Sequence, residues 1–107
     1  MIDATKGEPM TTTIWDKNKL HVGASIKENG DLEIAGQDLN GRVGEDEYEY
    51  WITVKAGDIP KVVAALPGPA DAEVIERLRL NAEMLIQVGE RTFLTLIGVE
   101  TGFHSWF

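Results

Sequence analysis

Leu20-His21-Val22-Gly23-Ala24-Ser25-Ile26 runs through Lys27-Glu28-Asn29-Gly30-Asp31 into Leu32-Glu33-Ile34. Leu20, Val22, Ala24 and Ile26 alternate with His21, Gly23, Ser25 and Lys27, the period of two of a strand with one buried face. Glu28-Asn29-Gly30-Asp31 is a turn signal, and the flanking pattern selects its length. A two-residue Asn29-Gly30 loop would set Ile26 opposite Glu33 and mix apolar with charged groups on one face. A three-residue loop, Glu28-Asn29-Gly30, sets Ile26 opposite Leu32 and Ala24 opposite Ile34. The second is expected, as a type I turn with Gly30 in the left-handed conformation of a bulge.

Toward the C-terminus, Gln37–Glu45 reads as a loop with Gly41 and Gly44, and a third strand is expected at about Tyr48–Lys55. Tyr48, Tyr50, Ile52 and Val54 form its core face, which leaves Glu47, Glu49, Trp51 and Thr53 facing outward. The period then changes. Asp58 and Pro60 suit the first turn of a short helix, and Pro67-Gly68-Pro69 ends it. A longer helix is expected from Asp71 to about Val88, with Ile75, Leu78, Ala82 and Leu85 on its apolar arc and a Glu73–Arg77 pair on its surface. Leu80 and Met84 lie off that arc and need either a third helix or a partner. Phe93, Leu94, Leu96 and Ile97 come in pairs, so a third helix is expected at about Glu90–Ile97, closed by Gly98 as a left-handed cap. Val99–Phe107 is expected as a last strand. Ile59, Val63, Ile75, Leu78, Leu85, Phe93 and Ile97 are the core residues expected from the helices.

These elements add up to an α+β fold: an antiparallel sheet of about four strands with two or three helices on one face, in the order β-β-β-α-α-α-β. The chain has 107 residues, enough for one domain. Residues 1–12 read as a flexible tail and 13–107 as the domain. Neither a signal peptide nor a spanning helix is visible, and a cytoplasmic protein is expected.

Composition narrows function. The 18 acidic against 10 basic residues give a net charge of −8, the wrong sign for binding nucleic acid or an anionic membrane. No cysteine is present, which removes thiolate catalysis, cysteine-zinc sites and iron–sulfur clusters. Neither Ser25 nor Ser105 sits in a nucleophile elbow. Asp38-Leu39-Asn40-Gly41 lacks the spacing of a calcium loop. His21 and His104, with Glu33 or Glu49, carry zinc-ligating atoms for one shared site, but ordinary surface roles are the simpler reading. No enzyme, cofactor or metal is expected.

Glu45-Asp46-Glu47-Tyr48-Glu49-Tyr50-Trp51 packs four acids and three aromatics into seven residues. The acids can simply guard a strand edge. Alternatively Trp51 is an anchor, with Glu33, Glu45, Asp46, Glu47 and Glu49 as a charged rim for a basic partner protein. A homodimer through Leu80, Met84 and Phe107 is a second possibility, and a ligand cavity between sheet and helices, lined by Tyr48 and Tyr50, a third.

Asp31–Leu39, Glu47–Val54, Asn81–Glu90 and Gly102–Trp106, in that order, resemble a family of small uncharacterised single-domain proteins common in actinobacteria. The likeness covers nearly the whole chain. It also reaches to acidic single-domain immunity proteins that neutralise bacterial toxins, which implies a protein-binding role, and it carries across no catalytic residue.

Overall fold

The computed structural model describes residues 11–38 and 48–106. Four strands come first: β1 (Thr12–Lys17), β2 (Leu20–Ile26), β3 (Leu32–Asp38) and β4 (Tyr48–Val54). Four short helices follow, α1 (Ile59–Ala65), α2 (Val74–Leu80), α3 (Ala82–Val88) and α4 (Glu90–Leu96), and β5 (Thr101–Trp106) closes the chain's course. The sheet is antiparallel and its strand order is the chain order, with β5 at the edge beside β4. The α+β class is as expected. The described sheet has five strands rather than about four, and the described helices number four.

The deciding hairpin has the expected register. Ile26 faces Leu32 and Ala24 faces Ile34. Lys27 N–H donates to Asp31 O at 2.8 Å, and Gly30, at φ 93°, donates to Lys27 O at 2.8 Å. The left-handed Gly30 is what lets a three-residue loop keep both apolar sets on one face.

β1 is the element that the sequence reading missed. Thr12-Thr13-Ile14-Trp15 is β-branched and aromatic, as an edge strand should be. The connection to β2 is a two-residue turn with Asn18 at φ 55° and Lys19 at φ 65°. Hairpin turns of this left-handed kind are usually marked by glycine, and a lysine there hides the signal. An irregularity between Thr13 and Trp15 lets Ile14 and Trp15 both reach the core.

The expected long helix is two helices. It breaks at Asn81, whose φ and ψ are −111° and 20°. The Asn81 amide donates to Pro67 O at 2.9 Å and to Arg77 O at 2.8 Å, which ties the break to the proline loop. Arg77 does not pair with Glu73. Its guanidinium donates to Leu66 O, Pro69 O and Ala72 O at 2.7–2.9 Å, because three converging loop carbonyls match its fork of donors better than one solvated carboxylate. The kink re-aims α3, so Met84 packs against the core instead of standing clear of it.

α4 is a helix, as its paired apolar pattern predicts, and ends in Gly98 at φ 82°. Val99 N–H reaches back to Leu94 O at 2.9 Å and Gly98 N–H to Thr95 O at 3.1 Å, the two bonds of a left-handed cap. All the helices lie over one face of the sheet. There Val22, Ala24, Leu32, Ile34, Ile52 and Val54 are buried against Val62, Leu66, Val74, Leu78, Leu85 and Leu94. Val62 and Leu94 take the fully buried places expected of Val63 and Phe93, which lie half-buried beside them; each helix is turned by about one residue, or roughly 100°.

Candidate functional site

Among the described residues, no helix covers the opposite face of the sheet. Alternation places His21, Gly23 and Ser25 of β2, Glu33, Ala35 and Gln37 of β3, Glu49, Trp51 and Thr53 of β4, and Gly102 and His104 of β5 on it. Trp51 stands near its middle, half-buried, opposite Ala35 on one side and His104 on the other. Its ring centroid is 5.4 Å from that of His104, tilted by 41°. Trp51 is thus neither core nor bare: the last strand shields one flank of the ring.

The other flank is open. Gly23 and Ala35 have too little side chain to fill the space beside Trp51, and a trough of about 300 Å³ results, bordered by Thr13, His21, Gln37 and Glu49. Glu49 stands at one end, 3.5 Å from the Gln37 amide. Glu33 lies on the same face, four residues before Gln37 on β3, with Lys27 at 3.5 Å. Asp16 and His21 form a close pair at 2.7 Å beyond the trough.

Of the residues the sequence marks for a partner, Glu33, Glu49 and Trp51 therefore share one open face. Glu45, Asp46 and Glu47 lie outside the described residues. The two histidines share the face but stand on β2 and β5 with two strands between, roughly 14 Å apart at strand spacing. Among the described residues, no group of three or more His, Asp or Glu could hold a metal ion.

The residues suggested for a homodimer are not gathered in this way. Leu80 is 48% exposed at the end of α2, Met84 is half-buried, and Phe107 lies outside the described residues. Among the described residues the most exposed large apolar side chain is Leu96 on α4, at 75%. Its local sequence resembles that of its buried neighbours and gave no warning.

The helical side holds a cavity of about 350 Å³ between α4 and the ends of β3, β4 and β5. Gly36 creates the room for its key residue: a Cβ at this position would fall inside the Tyr50 ring. Tyr50 lies across β3 at that point and donates its hydroxyl to Glu90 Oε2 of α4 at 2.6 Å. Glu90 is 9% exposed. Asp38, also buried, lines the same space, and Arg91 stands at its rim with the guanidinium 4.1 Å from the Phe103 ring centre. Tyr50 and Glu90 are 40 residues apart, so no local motif announces the pair.

Comparison of the chain with family models, with curated proteins and with solved structures gives no match. The described residues contain no helix long and apolar enough to cross a membrane.

Proposed function

We propose that this protein is a non-catalytic interaction module of the cytoplasm that binds a basic partner protein through the open face of its sheet, as a small inhibitor or an immunity protein does. One observation carries the reading: Trp51 stands half-exposed beside a trough, with Glu33 and Glu49 on the same face, which no helix among the described residues covers. A lysine or arginine of the partner fits there. Its cation would lie over the indole and reach the Glu49 carboxylate. The net charge of −8 steers a basic protein toward the molecule and raises its association rate. A toxin nuclease, basic where it holds its substrate, is a partner of the required chemistry. The resemblance to small actinobacterial proteins and to acidic immunity proteins points the same way.

The test is capture from a lysate of the source organism, with wild-type and Trp51→Ala chains immobilised side by side. A basic protein retained at about 50 mM salt and released at about 500 mM, where the screening length is several-fold shorter, is expected on the wild type only. Equal retention by folded Trp51→Ala, or retention indifferent to salt, contradicts the proposal.

A further inference from the structure

We propose that the cavity beside α4 binds a small organic ammonium ion, with its charged head on the Glu90 carboxylate and its apolar body against Ile52 and Ile86. This site lies on the helical side of the sheet and does not depend on the outer-face reading.

Three features support it. The volume, about 350 Å³, is that of a site for a small molecule, and the lining mixes apolar walls with a few polar groups, as such sites do. Glu90 is nine-tenths buried and, among the described residues, accepts one hydrogen bond, from Tyr50. A carboxylate taken out of water with a single donor is costly unless a cation joins it. Among the described residues of the lining the one basic group is Arg91, which is exposed and held on the face of Phe103, where water weakens its field more than that of Glu90. The field in the cavity therefore favours a cation. Apolar walls and the lack of a third ligand among the described residues select an organic cation over a metal ion. Tyr50 acts as a positioning residue: its hydroxyl fixes one carboxylate oxygen of Glu90 and leaves the other for the ligand.

The test is a titration of the ¹⁵N-labelled full chain with benzylamine, and separately with benzyl alcohol, at neutral pH. Saturable shifts of the Gly89, Glu90, Arg91 and Thr92 amides are expected with the amine, and binding at least about tenfold weaker with the alcohol. Glu90→Gln, which keeps an acceptor for Tyr50, should weaken the amine to a similar degree. Alcohol binding equal to amine binding in the wild type overturns the proposal, as do shifts confined to Gly23 and Ala35 on the outer face or the lack of a saturable shift at the cavity. The comparison of the two probes on wild-type protein decides even if the variant does not fold.

Discussion

The two faces of the sheet are made by the same strands, residue by residue, yet they obey different rules. On the inner face Val22, Leu32, Ile34, Ile52 and Val54 are all at 1% exposure or less and meet helix side chains everywhere. On the outer face the corresponding neighbours are His21, Glu33, Ala35, Trp51 and Thr53, none of them covered by a helix among the described residues. The inner face supplies the free energy of folding through apolar burial. The outer face is released from that task, and its indole, carboxylates and trough are available to a partner. On the proposed function, stability and recognition are separated by one peptide unit along each strand, and substitutions should divide the same way.

The largest effect is expected from Ile52→Ala on the inner face, a loss of about 2–5 kcal/mol in urea unfolding. A loss below about 1 kcal/mol would mean that the inner face is not the core. Gly36→Ala tests the tightest approach on that face. Its methyl group must displace the Tyr50 ring from Glu90, at a cost of about 1–3 kcal/mol, and the Tyr50 and Glu90 resonances should shift with it. Trp51→Ala, one residue from Ile52, should cost only about 1 kcal/mol of stability. It should weaken the partner by about 2 kcal/mol or more, roughly thirtyfold. A cost to folding that matches Ile52→Ala would move Trp51 into the core and end the comparison. Gly102→Ala, on the outer face, meets only Thr53 Cβ at ordinary contact distance. A melting temperature unchanged or slightly raised is expected, since alanine gains up to about 1 kcal/mol by restricting the unfolded chain.

The smallest effect belongs to the solvated back of the helices. The Arg79 guanidinium hydrogen-bonds Glu76 and holds its carboxyl below the ordinary range, and Glu76 in turn raises Arg79. A carboxyl whose folded pKa is depressed adds stability above its unfolded value, and that addition fades as pH falls through the folded one. Wild type should therefore be marginally more stable than Glu76→Gln near neutral pH. Melting curves should converge below about pH 4, near the ordinary glutamate value. A difference that grows on acidification contradicts the pair.

The β2–β3 hairpin was legible because one continuous stretch holds both the alternation and the turn, and only one loop length reconciles them. The α4 helix was legible from its paired apolar residues and Gly98. β1 was not, because Lys19 occupies a left-handed turn position without the glycine that normally marks it. The break at Asn81 was not, because its cause is a carbonyl at Pro67, fourteen residues away. The outer face follows from alternation alone, so Glu33, Glu49 and Trp51 could be placed together before any coordinates. Tyr50 could be named for a cavity between sheet and helices, but Glu90 could not: it meets Tyr50, which lies over Gly36, across three elements and looks unremarkable in its own segment.

The most direct measurement is cross-saturation between the unlabelled basic protein captured by the wild-type chain and the ¹⁵N-labelled chain in their complex. Signal loss at Gly23, Ala35, Glu49 and the Trp51 indole, with Leu80, Val88 and Leu96 untouched, is the expected result. Signal loss centred on Leu80, Val88 and Leu96 would place recognition on the helices and contradict the division of labour between the two faces.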